Sequence, residues 1–106
     1  MRNYRTFTDV EAAYFRDRPE EIDEYITIIF EEYAKDGNTG ALLSSLRVLS
    51  RVKGVTKIAE EAGMSRKGVQ KALSEAGNPE FASVNSIMHA MGYRLAPQKI
   101  DPSTNL

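Results

Sequence analysis

Cationic and amide side chains recur at helical spacing near the middle of the chain. Gln70 and Lys71 follow Lys67 at three and four residues, so the three side chains share one face of a helix. Lysine binds phosphates, and both lysine and glutamine can hydrogen bond to base edges in the major groove of DNA. The chemistry that this face could perform is therefore binding of a nucleic-acid duplex.

The same segment places residues where an isolated helix disfavours them. With Ser65 as the N-cap, Arg66 and Lys67 fall in the first turn, where the helix dipole favours acidic side chains. Gly68 follows, at a cost of about 1 kcal/mol relative to alanine. A duplex supplies negative charge at this end of a helix, and a glycine leaves room for a phosphate or for the preceding helix. DNA binding would explain all three residues.

A helix-turn-helix motif accounts for the surrounding sequence. With Val55 as its first position, Ile58 is a core residue, Ala59 is a small residue where the helices cross, and Gly63 is the turn residue that takes a positive φ. The buried side of the second helix is predicted to be Val69, Ala72 and Leu73. Short helix pairs with a glycine turn also occur in bundles that bind no nucleic acid, and this alternative stays open.

The predicted DNA contacts come from both helices of the motif. Thr56 and Lys57 begin the first helix and would hold phosphates, whereas Gln70 would bond adenine and Arg66 or Lys67 guanine. The complete predicted set is Thr56, Lys57, Ser65, Arg66, Lys67, Gln70, Lys71 and Ser74. Each could instead be a solvated surface residue, an alternative that is strongest for Thr56 and Ser74.

Helical periodicity extends over nearly the whole chain. A Thr8 cap predicts a first helix, and further helices are predicted over residues 19–36, over about 39–52 and after Ser83. Residues 93–95 are compatible with one short strand. The fold class is therefore all-α, a compact multi-helix bundle that contains the helix-turn-helix.

Apolar stripes on these helices predict how they pack. The stripe of the third helix consists of Leu42, Leu43, Leu46 and Leu49, with Val52 as a further candidate. On the first helix, the sequence places Val10, Ala13 and Tyr14 on one side. The stripe of the second helix consists of Ile22, Tyr25, Ile26, Ile29, Phe30 and Tyr33. We expect three segments: an N-terminal helical arm packed on the core (1–38), the DNA-binding domain (39–96) and a flexible tail (97–106).

Composition excludes several functions. The 106 residues contain no cysteine, and His89 is the single histidine, so we expect no metal site, no cofactor and no enzyme. Adjacent acidic pairs point in different directions on a helix and do not form an acid/base couple. The most apolar run, residues 26–30, is far shorter than a membrane span. A cytoplasmic protein that does not contact the membrane is expected.

Charge is distributed unevenly along the chain. Residues 1–39 hold five basic and ten acidic residues, a net charge of −5, whereas residues 40–80 hold seven basic and four acidic residues, a net charge of +3. This asymmetry is compatible with an anionic ligand for the middle and a basic partner for the N-terminal part. On charge alone, ordinary variation among solvated helix faces is the favoured explanation.

The sequence resembles a known family over most of residues 8–96. Residues 58–95 (IAEEAGMSRKGVQKALSEAGNPEFASVNSIMHAMGYRL) resemble the HigA-type addiction module antidotes, which are lambda-repressor-like helix-turn-helix proteins often found in prophages and plasmids. The match includes an L-S-x-x-G-N-P-x-F-x-[ST]-V segment at 73–84 and a closing A-M-G-Y-R-L. Upstream, residues 19–38 resemble the family's leading helix, although Arg18 replaces the usual Asp cap, so that the cap is lost or moved to Asp17.

The resemblance implies an antitoxin. Such proteins bind and neutralise a small basic toxin of the RelE/ParE-like type, and the pair represses its own operon from a palindromic operator in double-stranded DNA. A homodimer fits this role because one helix-turn-helix contacts only a half-site, and a second copy lies about 34 Å away. The acidic residues 1–39 would then contact the toxin.

Two alternatives remain open on the sequence alone. The first is a stand-alone prophage-type repressor that has no toxin partner, and an adjacent toxin-like reading frame would separate it from an antitoxin. The second is a helical adaptor whose helix-turn-helix binds only proteins. A steep dependence of duplex affinity on salt would exclude the adaptor.

Overall fold

The computed structural model describes residues 7–74 and 76–101, and all regular structure in these ranges is helical. Six α-helices follow one another, with one 3-10 turn (Pro19–Glu21) before the second: α1 Phe7–Asp17, α2 Ile22–Asp36, α3 Thr39–Lys53, α4 Val55–Ala62, α5 Arg66–Ala72 and α6 Phe81–Ala90. The predicted all-α class is confirmed. Glu75, residues 1–6 of the predicted arm and residues 102–106 of the predicted tail lie outside the described ranges.

Helix α3 lies at the centre of the bundle, because α1, α2 and α4 all pack against it. Helix α6 packs against α4 and α5. The largest fully buried apolar side chains are Leu46, Leu49, Ile58, Leu73, Ile87 and Met88. The central position of α3 explains why Val48 and Ser50 are buried beyond the predicted leucines, and the Ser50 hydroxyl is satisfied by donating to the Arg47 carbonyl at 2.7 Å.

The connection between α2 and α3 follows from two residues. Gly37 adopts a left-handed conformation (φ 63°) that ends α2, with its N–H donating to the Tyr33 carbonyl. Asn38 then caps α3, its side-chain oxygen accepting from the Ala41 N–H at 3.1 Å. The predicted end of one helix and start of the next are both confirmed.

Helix α1 differs from the prediction in two respects. The structure describes α1 from Phe7 onwards, so Thr8 lies within the helix and not at its cap. The buried residues of α1 are Ala12 and Phe15, whereas Val10 and Tyr14 are exposed. Phe15 rather than Tyr14 is buried because its ring has no polar group to satisfy. The Tyr14 hydroxyl stays at the surface, where it donates to a Glu21 carboxylate oxygen at 2.7 Å.

Helix α2 begins as its sequence predicts, with Pro19 in the opening 3-10 turn. Arg18 occupies the cap position and its side chain makes no capping hydrogen bond, so the expected loss of the Asp cap is confirmed. The apolar stripe is only partly covered: Ile22 and Ile26 are buried, whereas Tyr33 is exposed. Ile28, which lies off the stripe, is also exposed.

The C-terminal part also differs from the prediction in two places. Helix α6 begins at Phe81 and not after Ser83, because the extended Glu80 that follows Pro79 already turns the chain into the helix. Residues 93–95 form no strand, because the Tyr93 N–H donates to the Met88 carbonyl at 2.9 Å and closes the end of α6. Residues 97–101 are exposed and have no regular structure. Among the described helices, no helix has the length and apolar character needed to cross a bilayer.

Candidate nucleic-acid interface

The pair of helices α4 and α5 forms through a tight turn. Ile58 and Ala59 are buried at the contact between α4 and its neighbours. Gly63 then takes φ 69°, and the Met64 N–H donates to the Ala59 carbonyl at 2.9 Å. An L-residue with a Cβ is strained in this conformation by roughly 1–2 kcal/mol. The predicted burial of Ile58 and the predicted positive φ of Gly63 are confirmed, and the small Ala59 is buried as well.

The start of α5 is fixed by a side-chain cap. Ser65 is extended (φ −78°, ψ 158°), and its Oγ accepts a hydrogen bond from the Gly68 N–H at 2.9 Å. A Cβ on Gly68 would lie 3.1 Å from this Oγ and 3.7 Å from the Met64 methyl carbon. The N-cap prediction for Ser65 is confirmed, and the glycine makes room for the cap itself.

Helix α5 has one buried side and one exposed side. Val69 and Leu73 have at most 1% of their surface exposed, and Ala72 has 9%. The opposite side carries the exposed side chains of Arg66, Lys67, Gln70 and Lys71. We refer to these four residues as the α5 face. Their accessibility is the condition that duplex binding requires, and it follows from burial of the other side.

An arginine of α3, which the sequence did not identify, holds the far end of α5. The Nη1 of Arg47 donates to the Leu73 carbonyl at 3.0 Å, and its Nη2 donates to the Ser44 Oγ at 3.4 Å. A cation at the C-terminal end of a helix also interacts favourably with the helix dipole. The sequence feature that could have identified Arg47 is its position four residues after Leu43, which places a charge on the same side of α3 as apolar residues.

The segment after α5 is packed closely against that helix. The Gly77 N–H donates to the Ser74 carbonyl at 2.8 Å, and a Cβ at Gly77 would lie 2.9 Å from the same oxygen and 3.0 Å from the Lys71 carbonyl. Ser74 is half-buried, and its hydroxyl donates to the Lys71 carbonyl at 3.0 Å. Ser74 therefore helps to end α5, and a DNA contact in which its hydroxyl donates to a phosphate would have to replace this hydrogen bond.

Open grooves lie on both sides of the α5 face. The groove on one side runs between α5, the start of α4, the end of α3 and α1. It is lined by Asp9, Arg16, Arg51, Gly54, Val55, Thr56, Arg66 and Gln70, and we refer to it as the arginine groove. The groove on the other side includes Met64, Lys71, Ser74 and Asn78. The structure thus brings Thr56 together with Arg66 and Gln70.

Lys57 is separated from that group. It lines a different groove, between α4 and the end of α6, together with Lys53, Glu61 and Gly92. Thr56 and Lys57 were predicted as neighbouring phosphate contacts, but on α4 their side chains point to different sides. A contact from Lys57 to DNA stays a prediction, and the geometry gives it no common site with the α5 face.

A tyrosine ties the C-terminal segment to the N-terminal half. The Tyr93 hydroxyl donates to an Asp23 carboxylate oxygen on α2, and the Lys53 ammonium lies 5.8 Å from the Tyr93 ring centroid. Burial raises the pKa of Tyr93 to about 12, and the hydrogen bond to Asp23 adds to this effect. On α1, the hydrogen bond to Glu21 likewise raises the pKa of Tyr14.

A second type of surface lies between α2 and α3. Ile29, Tyr33 and Leu42 line a shallow groove, and the carboxylates of Glu32 and Asp36 lie at the same groove. We refer to it as the acidic groove. Among the described residues, no group of three or more His, Asp or Glu side chains is arranged to hold a metal ion, and His89 is exposed.

Comparison with known proteins gives two matches. Residues 6–99 match the family described as "Probable addiction module antidote protein". A relative from Haemophilus influenzae, named only as an uncharacterized protein, is 36% identical over 77 residues, which cover 73% of this chain and 79% of the relative. No solved structure matches the chain.

Proposed function

Because the chain belongs to the family of probable addiction module antidote proteins, we propose that it is a DNA-binding antitoxin of the HigA type. In this role it binds operator DNA through the α5 face and neutralises a partner toxin. The observation that carries the proposal is the exposure of Lys67, Gln70 and Lys71 on a short helix whose other side is buried. In a helix-turn-helix, a short helix with one buried and one exposed side enters the major groove through its exposed side, and we assign that role to α5.

The chemistry of the α5 face assigns different roles to its members. Gln70 can form a bidentate pair with adenine, and Arg66 or Lys67 can donate to guanine O6 and N7. Thr56 lies at the same groove as Arg66, at the start of α4, where it can donate to a phosphate. Lys71 lies towards the second groove and supplies a charge for the backbone.

We propose that the protein binds DNA as a homodimer on a palindromic operator. One α5 face covers a single half-site, and a second copy related by two-fold symmetry would reach the next major groove, about 34 Å away. Phe81 supports an interface that includes α6, because 73% of its surface is exposed at the start of that helix. Operator binding would take place in the cytoplasm.

We propose that the toxin contacts the acidic N-terminal half. The support is the net charge of −5 over residues 1–39, together with the apolar residues exposed beside acidic residues on α2. A small basic toxin of the RelE/ParE-like type has the complementary charge. Electrostatic complementarity of this kind speeds association and excludes partners of the wrong charge.

Base preference tests the DNA-binding part. The probes are duplexes from the region upstream of the protein's own gene and a random duplex of equal length. Gln70→Ala should weaken binding to the upstream duplex by roughly 1–3 kcal/mol and relax the preference at one base pair. Lys57→Ala should weaken binding to all duplexes alike if Lys57 contacts phosphate. Equal losses for Gln70→Ala on both probes would remove Gln70 from base readout.

Co-expression tests the antitoxin part. The chain should restore growth to cells that express the protein of the neighbouring gene, and a variant without residues 1–18 shows whether α1 is required. Full growth rescue by that variant would exclude α1 from the toxin contact. A chain that binds its upstream DNA without a toxic neighbouring product would be a stand-alone repressor. A chain that binds no duplex at low salt would be a protein adaptor.

A further inference from the structure

The α5 face continues into a second set of cations that the helix-turn-helix pattern does not contain. The arginine groove joins Arg66 to Arg16 on α1 and Arg51 near the end of α3. Arg16 and Arg51 are exposed, and Asp9 is the acidic residue that lines the groove with them. Three guanidinium groups from three helices therefore line an open groove. Among the described residues that line it, Asp9 supplies a single carboxylate, which leaves an excess of positive charge.

The two added arginines are held in the groove by contacts of their own. An Arg16 guanidinium nitrogen donates to the Arg51 carbonyl at 3.1 Å, and an Arg51 nitrogen pairs with an Asp9 oxygen at 2.5 Å. The Arg51 and Asp9 side chains remain 41% and 36% exposed. An exposed pair of this kind contributes little to stability, because water screens the two charges. Exchange of the Asp9 carboxylate for another anion would therefore cost little.

We propose that α1 extends the duplex-binding surface, with Arg16 and Arg51 contacting the sugar–phosphate backbone beside the base pairs that the α5 face contacts. This inference rests on the proposed DNA-binding function and adds an element that lies outside the helix-turn-helix. The occupant is a phosphate backbone because the groove shares Arg66 and Gln70 with the α5 face. A duplex whose bases meet those two residues must run its backbone along one side of them.

Asp9 should oppose duplex binding, whereas Arg16 and Arg51 should favour it. It neutralises Arg51 in the free protein, and its carboxylate repels an approaching phosphate. Loss of the Asp9 charge should therefore strengthen duplex binding, whereas loss of either arginine should weaken it. An ion pair that served only to fix α1 on α3 would give a different result, because removal of either partner would then have the same effect.

Fluorescence anisotropy with a labelled 24-base-pair random duplex measures these effects across a KCl series. We expect Arg16→Gln and Arg51→Gln each to reduce the slope of log affinity against log salt by about 0.9 per bound chain, and to weaken binding at 100 mM KCl by roughly fivefold to tenfold. Asp9→Asn should strengthen binding by roughly twofold to fivefold. Arg94→Gln is the matched control, because Arg94 is an exposed arginine that does not line the groove.

The outcomes separate this inference from the function on which it rests. Wild-type affinities and slopes for both arginine variants would overturn the inference while leaving the α5 face intact, provided that Lys67→Gln still reduces the slope. Weaker binding by both Asp9→Asn and Arg51→Gln would also overturn it, because the ion pair would then be structural. If the wild-type chain binds no duplex at 50 mM KCl, the DNA-binding function itself fails.

Discussion

Two surfaces of this molecule differ in charge and polarity. The α5 face presents Lys67, Gln70 and Lys71 on a short helix whose position is fixed by buried residues, a side-chain cap and a turn. The acidic groove between α2 and α3 leaves Tyr33 exposed next to Glu32. The first surface has cations and hydrogen-bond donors for an anionic polymer, and the second has apolar contacts beside negative charge.

The difference shows how a chain of 106 residues and net charge −1 can present two surfaces of unlike chemistry. Net charge describes the average of the molecule, whereas binding depends on the local charge at each surface. The two surfaces are connected through α3, which packs against α1, α2 and α4. Changes in the shared core should therefore affect both surfaces, and changes at one surface should leave the other intact.

The largest effect is expected in the shared core. Leu49 is fully buried in α3, so Leu49→Ala should lower the free energy of unfolding by about 2–5 kcal/mol. Urea denaturation followed by circular dichroism should show a single transition for the whole chain. Ile28→Ala is the control, because Ile28 is 44% exposed and should change stability by less than about 0.5 kcal/mol. Two separate transitions would show that the two surfaces belong to independent units.

A smaller effect is expected from the arginine that holds the end of α5. Arg47→Met removes the hydrogen bond to the Leu73 carbonyl and leaves that oxygen without its charged donor. We expect a loss of about 1.5–3 kcal/mol in urea denaturation, accompanied by weaker duplex binding. Arg94→Met is the control, because Arg94 is exposed on the segment after α6. Unchanged stability would mean that Arg47 does not position α5.

The turn before α5 should contribute somewhat less. Gly63→Ala places a Cβ on a residue with φ 69° and should cost about 1–2 kcal/mol. Gly63→Asn is the matched variant, because asparagine adopts left-handed conformations more readily than other residues with a Cβ. We expect the asparagine variant to be the more stable of the two. Equal stability of the two variants would show that left-handed strain does not govern this turn.

The smallest effect concerns Tyr93, which joins the C-terminal segment to α2. Its pKa is raised to about 12, so the protonated hydroxyl is favoured in the folded state over the unfolded state, where the pKa is near 10. The resulting stability is complete below pH 10 and is lost as the pH rises towards 12.

Urea midpoints at pH 9, 10 and 11 check this pH dependence. Wild-type stability should fall more steeply over this range than that of Tyr93→Phe, which should itself lose less than about 1 kcal/mol at pH 9 because the site is partly exposed. Asp23→Asn removes the carboxylate acceptor and should reduce the steepness as well. Parallel curves for the wild type and Tyr93→Phe would contradict the assignment.

Local features of the sequence predicted the α4–α5 pair correctly. The Ser65 cap, the positive φ of Gly63 and the burial of Val69 each depend on residues within a few positions of one another. Short-range patterns of this type determine helix ends and turns. The same reasoning failed on α1, where Ala12 and Phe15 are buried because α1 packs on α3 and because Phe15 contacts Tyr25 on α2.

The sequence could not predict contacts between residues that lie far apart along the chain. Arg47 lies 26 residues before the Leu73 carbonyl to which it donates, and Arg51 lies 42 residues after Asp9. No periodic pattern relates such positions, because they meet only when the helices pack. The split between Thr56 and Lys57 has the same origin, since it depends on which helices lie next to α4.

The most direct test of the central claim is to map the surface that a duplex contacts. In ¹⁵N-labelled protein titrated with a duplex from upstream of the gene, we expect amide shifts to concentrate at residues 65–74 and at Thr56. Further shifts at Arg16 and Arg51 are expected if α1 extends the duplex-binding surface. The amides of α2 around Glu32 and Tyr33, at the acidic groove, should remain in place. Shifts confined to the acidic groove, or no shifts at 50 mM KCl, would contradict the account of the α5 face as a DNA-binding surface.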